Sequence, residues 1–489
     1  MQKTNPFNTS FKFFQSLSAA WAIILFTLPS SLAQGIVVPP YIQPGNASSL
    51  KKEEKVIIWQ TDSIQATHRV EWSQGTTMKS AQKINKAKVS SVKLNLNNQT
   101  TYLHRAVLKN LNFDENYVYR VMLNETGIAE HTFVSRSKKP RSRFAVFGDM
   151  GTGSKEQAAI AYQIYQQKPQ FALLTGDMVY SYGREIEYRA RFFPYYLLPI
   201  PVKERGAPLM NSIPFYMLLG NHDIYSADFD KYPDGLAYFY YSDLPRNAPV
   251  PARTVQPEGN KELIKAFIKN TGRRFPQISN YSFDYGNVHI VCLDANYYVN
   301  PLDPALMDWL RKDLKQSKAD WKIVAYHHPG FISNEKHYEY QIMRLLSPVL
   351  EELEVDLVLT GHVHHYQRTV PLKFDPEKDE SGSNFMVSEE GMVNGTFTLD
   401  MEFDGIKNTK ADGIIYFVTG AGGAALYETE ISDQPELWKQ GLPGNWVPYT
   451  ARLVSDRHSF TMIETEGKKL MLQQIDADGK VFDEITMTK

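Results

Sequence analysis

Hydrophobic and polar positions divide the chain into two textures. Between residues 36 and 136 the apolar positions fall in short runs rich in β-branched and aromatic side chains, at 55–61, 68–72, 106–108 and 117–121. Polar linkers separate these runs and no helical period competes, so the pattern predicts an all-β sandwich. From Arg141 the pattern alternates. Strand-like apolar runs at 144–147, 171–174, 215–219, 288–293, 322–325, 355–359 and 414–418 are interleaved with helical stripes. Residues 155–167 place Ala158, Ile160, Ala161, Ile164 and Tyr165 roughly on one face. Asp303 followed by Pro304 signals a helix start, with Leu306, Leu310 and Leu314 on a shared face. A third helical pattern spans 340–353, where Pro348 is expected to introduce a kink. Continuous buried strands alternating with helices predict a parallel or mixed sheet covered on both faces. Residues 135–140 read as a linker, and 182–212 and 224–277 as long aromatic connections packed onto the sheet, with the walls of a substrate cleft as the alternative. Residues 373–412, rich in Gly, Ser, Asp and Glu, read as a surface excursion.

Composition narrows the class. A length of 489 residues fits two or three domains, and 43% apolar with 22% charged content permits a large core. The formal net charge of −1 gives no overall basic field for nucleic acid or a membrane surface. Residues 1–33 read as a cleaved export signal: Lys3 and Lys12 precede an apolar stretch at 17–28, and Ser31 and Ala33 flank a cut before Gln34. That stretch is short for a bilayer, so a secreted or periplasmic protein without a membrane anchor after cleavage is expected. The one cysteine, Cys292, lies in an apolar run and reads as a buried small hydrophobe.

The chemistry gathers at strand ends. Five apolar runs lead into Asp149, Asp177, Asn221-His222-Asp223, His327-His328 and His362-Val363-His364. Open α/β sheets place ligand sites at that edge. A glycine beside a polar residue is ordinary turn chemistry once, but five successive strand ends carrying metal-ligand types are not. With Tyr180 they offer seven donors: Asp149, Asp177, Tyr180, Asn221, His327, His362 and His364. Seven exceed one site with an open position. Oxygen and imidazole donors without thiolate disfavour structural zinc. Two neighbouring ions suit in-line displacement at phosphorus. His68, His104 and His131 are scattered singly and read as structural.

The ordered motifs Gly148-Asp149-x-Gly151, Gly176-Asp177-x-x-Tyr180, Gly220-Asn221-His222-Asp223, Val324-x-x-His327 and Gly361-His362-x-His364 resemble those of the purple acid phosphatases, within the calcineurin-like metallophosphoesterases. Residues 280–289 resemble the strand before the family's fourth motif. Residues 36–136 resemble the fibronectin type III-like domain that precedes the catalytic domain in the plant-type enzymes. The resemblance implies an α/β metallophosphoesterase sandwich over 141–489, two mixed β-sheets flanked by helices, preceded by that all-β domain. It implies that Asp149, Tyr180 and His364 hold Fe(III). Asn221, His327 and His362 would hold Fe(II), Zn(II) or Mn(II), with Asp177 bridging. Most calcineurin-like enzymes carry Asp-x-His in the first motif. Here that histidine position is Gly151 and the Tyr180 phenolate stands in, a hard donor suited to trivalent iron.

The implied activity is an acid phosphatase acting on small phosphate monoesters by in-line attack of a metal-bound hydroxide. His222 is the implied proton donor, and His337 would lie over the phosphate. His328 takes a supporting or a catalytic role. Arg368 braces the double-histidine motif, and Asp223 falls outside the ligand set. A phosphodiesterase or nucleotide-directed hydrolase on the same centre is the alternative. An adhesion or carbohydrate-binding protein with an inactive phosphatase domain is a third reading, disfavoured because all seven ligand positions are filled. The aromatic insertions leave substrate preference open. Cys292, in a core strand, makes the plant enzymes' intersubunit disulfide unexpected, and oligomeric state is left open.

Overall fold

The computed structural model describes residues 35–62, 67–427 and 447–489. The expected export signal lies outside the described residues. Residues 36–134 form two four-stranded antiparallel sheets. One runs in the order Ile36–Gln43, Glu54–Thr61, Gln99–Lys109, Val89–Leu96. The other runs Asn85–Ala87, His68–Gln74, Asn116–Leu123, Thr126–Val134. Side chains alternate across a strand, so Ile57 and Trp59 meet Val70, Tyr119 and Val121 between the sheets. Val56 and Ile58 face the other way, into the core of the remaining chain. That double burial explains why 56–59 is an unbroken apolar run in a strand buried along its whole length. His104 is structural as expected, held between the hydroxyls of Thr61 (2.9 Å) and Ser91 (2.7 Å) and stacked on Trp59.

The expected linker is no loose tether. Ser135, Arg136 and Ser137 are buried. The Arg136 guanidinium donates to the Glu53 carboxylate at 2.5 Å and to the carbonyls of Ser48 and Asp284 at 3.1 Å. It therefore ties the first sheets to the hairpin Tyr281–Tyr285/Val288–Cys292.

The rest of the chain builds two mixed sheets. The first has the order Phe215–Met217, Phe171–Leu174, Arg141–Phe147, Ser459–Glu466, Lys469–Asp476, Val481–Thr488, parallel among the first three strands and antiparallel after them. The second has the order Tyr281–Tyr285, Val288–Cys292, Trp321–Ala325, Leu357–Thr360, Ile415–Thr419, Tyr366–Thr369, Thr450–Val454. Its central strands are parallel. Alternation again sorts the faces. Ile290, Ile323, Leu357 and Phe417 share a core with the first sheet. Val291, Val324, Val358 and Tyr416 face Leu306, Leu310 and Leu314 of the helix Pro304–Gln316. That helix starts as predicted, the Asp303 carboxylate accepting the Leu306 N–H. The helix Lys155–Gln167 is capped by the Ser154 hydroxyl, which accepts the Gln157 N–H.

One expectation needs correction, and two gain detail. Pro348 does not kink a long helix; it opens the short helix Ser347–Glu352, after a separate 3-10 turn at Ile342–Leu346. A proline lacks only an N–H that the first turn leaves unpaired anyway. The connections 182–212 and 224–277 contain a hairpin, Leu197–Val202 with Gly206–Pro208, and the helix Lys261–Thr271. Their runs around Phe192 and Tyr240 are buried in the main core, as expected. The excursion at 373–412 carries the strand pair Leu372–Pro376 and Gly395–Leu399.

Candidate metal centre

All seven predicted donors converge where the strands of both sheets end. The Asn221 side-chain oxygen lies 3.1 Å from His327 Nε2 and 3.0 Å from His362 Nδ1. Asp177 Oδ1 is 3.4 Å from His327 Nε2. The Tyr180 hydroxyl lies 3.0 Å from His364 Nε2 and 3.3 Å from Asp149 Oδ1, and those last two are 3.7 Å apart. Ligand atoms of Asp149, Asp177 and His327 fall within 4.8 Å of one another and link the two groups. His328, also fully buried, forms a second such group with His327 and His362. Neither of its ring nitrogens has a hydrogen-bond partner.

These distances meet the requirement of shared ions. Two donors each about 2.1 Å from one cation stand roughly 3.0–3.4 Å apart at right to tetrahedral angles. The ring orientations agree. His327 Nδ1 and His364 Nδ1 donate to the carbonyls of Thr175 and Ala425, both at 2.7 Å, which leaves each Nε2 lone pair facing the cluster. The electrostatics agree too. Burial pushes the Asp149 carboxyl up, and neighbouring Asp177 adds to it against the pull of His327. Burial and then Asp177 and Asp149 push the Tyr180 phenol up. Burial and the neighbouring imidazoles hold His362 well below the usual histidine range. Burial would lower His327 too, but Asp177 and then Asp149 outweigh it and push that ring up to about 9, so a cation binding there displaces a proton and relieves the crowded carboxylates.

The backbone makes room for this crowding. Asp149, Asp177 and His362 all adopt left-handed φ, at 58°, 54° and 67°. A Cβ on Gly220 would sit 2.1 Å from Asp177 Oδ1. Gly361 was expected to supply the sharp turn into the double-histidine motif. His362 carries the left-handed φ instead, and Gly361 is required because a Cβ there would lie 2.6 Å from Asp149 Oδ2. Gly151 explains the missing histidine of the first motif: its Cβ would meet the Met178 carbonyl oxygen at 1.8 Å.

The supporting residues fall into place around the donors. Asp223 accepts N–H groups from Asp177 and Gly220, both at 2.9 Å, and from Met178 at 3.2 Å. Arg368 pairs through two hydrogen bonds with Asp483, at 2.8 and 3.1 Å, and so braces the double-histidine strand against the C-terminal strand. His222 stands at the rim, its Nδ1 2.7 Å from the Ser181 carbonyl and its Nε2 4.0 Å from Asp177 Oδ2. The His337 ring lies 4.2 Å from that of His362. Sequence reasoning missed Tyr427, which stacks on His364 at 4.2 Å and lies under the Lys336 ammonium at 3.9 Å. No motif announces it; a long loop delivers it.

Residues 142–366 match the sequence profile of the calcineurin-like phosphoesterase family. Purple acid phosphatase 23 of Arabidopsis thaliana is 27% identical over 305 residues, covering 56% of this chain and 59% of that protein. Purple acid phosphatase 1 of Ipomoea batatas is 25% identical over 358 residues, covering 69% and 68%. Against three of the Arabidopsis relatives the chain spans about half their length, 42% to 59%. A purple acid phosphatase structure from yellow lupin (Lupinus luteus) seeds superposes with a TM-score of 0.60 at 18% identity, covering 92% of this chain and 74% of that one. Over residues 142–366 the chain is thus similar to the calcineurin-like phosphoesterases, and the relatives named above place that similarity among purple acid phosphatases.

Proposed function

We propose that the centre is that of an exported acid phosphatase hydrolysing small phosphate monoesters. The observation that carries this reading is the convergence of Tyr180, His364 and Asp149 on one side of Asp177 and of Asn221, His327 and His362 on the other. The first group would hold Fe(III), and the second Fe(II), Zn(II) or Mn(II), with Asp177 shared. Bound there, the ions supply Lewis acidity that polarises the ester and lowers the pKa of water.

The chain's own groups do the rest. His222 Nδ1 donates to the Ser181 carbonyl, which turns Nε2 toward the centre; in the protonated ring the Nε2–H is the proton that passes to the departing ester oxygen. His337 and the Lys336 ammonium stand on the rim beside His362 and Tyr427 and draw the phosphate in. The N-terminal sheets are read as a fibronectin type III-like domain over 36–136, ahead of a catalytic domain over 141–489. Among the described residues no helix is long and apolar enough to cross a membrane.

Metal analysis, a visible spectrum and paired kinetics on a monoester and a diester test the reading together. The expected result is at least one iron per two metals, a tyrosinate–iron band lost in Tyr180→Phe, and higher kcat/KM on the monoester. A colourless, iron-free, active enzyme overturns the metal assignment, and a preference for the diester overturns the substrate.

A further inference from the structure

Large aromatic side chains are seldom left in water, because each forgoes the burial of an extensive apolar face. This chain has 28 tyrosines and 26 phenylalanines. Among the described residues the exposed large aromatics are three, Tyr182, Tyr225 and Tyr297, at 40%, 60% and 58% exposure. All three stand at the mouth of the metal centre. Tyr225 stacks on His222, 5.6 Å between ring centres at 27°. Tyr182 meets Tyr225 edge-on at 6.5 Å and is backed by Tyr232 at 4.8 Å. On the other side Tyr297 packs edge-on against His328 at 4.9 Å and Tyr340 at 4.4 Å. His222 Nε2 lies 4.0 Å from Asp177 Oδ2 and the His328 ring lies 4.3 Å from that of His362, so both walls border the same centre.

The walls come from different elements. Tyr225 follows the turn Asn221–Ile224, and Tyr297 follows the strand Val288–Cys292. Each rests directly on a histidine of the centre, so the slot between them begins where the phosphate would sit. A ring bonded straight to the ester oxygen reaches this slot at once. A base held off by a sugar does not.

On the reading that this is a phosphatase, we propose that Tyr225 and Tyr297 bracket the ring of an aryl phosphate, making aryl monoesters the preferred substrates. Leaving-group reactivity would confuse a comparison of rates, so the probes are phenylphosphonate and methylphosphonate, which bind without reacting. Wild type should bind phenylphosphonate roughly tenfold or more tightly than methylphosphonate, in keeping with aromatic stacking at other sites. Tyr225→Ala and Tyr297→Ala should each bring the ratio of inhibition constants severalfold closer to one. Tyr225→Phe and Tyr297→Phe should preserve it, because the ring and not the hydroxyl does the binding. A wild-type ratio near one, or a ratio unmoved in both alanine variants, overturns the aryl slot and leaves the phosphatase standing. If neither phosphonate competes with substrate, the phosphate-binding centre itself fails and the slot with it.

Discussion

His289 offers a quantitative test of how the second sheet is held. Its strand pairs with Tyr281–Tyr285, and its cross-strand partner is Asp284. His289 Nδ1 lies 2.7 Å from the Asp284 carboxylate, and Nε2 lies 3.0 Å from Asp313 on the helix Pro304–Gln316. Burial alone would lower its pKa, but the two carboxylates outweigh burial and push it up to about 9. The unfolded value is near 6.5. Below pH 6.5 both states carry the proton and the interaction contributes in full. Between 6.5 and about 9 only the folded state holds the proton, so stability falls as pH rises. Above about 9 the contribution is gone. At about 1.4 kcal/mol per pH unit the loss is about 3 kcal/mol. Metal binding also depends on pH, so the measurement is a difference: urea unfolding of wild type and His289→Gln from pH 6 to 10 at fixed metal concentration. The variant should be less stable by about 3 kcal/mol at pH 6, with the gap closing by pH 10. Parallel curves over that range would show that the imidazole is not charged between its two carboxylates and refute the argument.

Three further outcomes follow from the centre. Asp223→Asn turns an amide NH2 toward backbone donors that now share a carboxylate, which shifts Asp177 and Gly220; kcat/KM should fall about 10–100-fold, with metal content measured alongside. His222→Asn should lower kcat about 10²-fold or more on an alkyl phosphate and much less on 4-nitrophenyl phosphate, whose leaving group needs no proton; equal losses on both would place His222 in binding instead. Chelation should lower the melting temperature and metal return should restore it, since ions that bind only the folded chain at a hundred times Kd add about 2.7 kcal/mol.

Much of the centre was legible because its donors sit in short motifs at strand ends, where apolar runs give way to Gly-Asp or Gly-His. The helices that carried cap signals were legible as well. The Asp303-Pro304 signal opens one where expected, and the other follows the apolar stripe at 155–167, with Ser154 as the cap that the stripe did not announce. Long-range pairing was not. Thr461 lies beside Val146 across the centre of the first sheet, and no local pattern announces that the C-terminal meander returns there. Nor does a period of two say which of two stacked sheets a buried strand joins. Tyr225 and Tyr297 escaped for a related reason: in an aromatic-rich loop, composition does not separate the rings that fill a core from those that rim a cleft, while Tyr427 ends a Gly- and Ala-rich segment that carries no motif.

The local chemistry of the centre runs against the stability of the chain. Three residues hold left-handed φ there, a conformation that costs about 1–3 kcal/mol for each non-glycine residue. Two buried carboxylates face each other, and both nitrogens of the His328 and His365 rings lack partners. A fold drifting toward stability alone would replace such a cluster with apolar side chains, like those of the strands that lead into it. The glycines argue that the arrangement is held on purpose. At 151, 220 and 361 a side chain would drive into the Met178 carbonyl or the Asp177 and Asp149 carboxylates, so each turn is pinned at the one spacing that brings its donors together. The flanking β-sheets, buried on both faces, supply the rigidity that keeps those donors from relaxing apart. The site is therefore best understood as a preorganised cation cage whose local cost is offset by the two-sheet core, with the cations recovering part of it on binding.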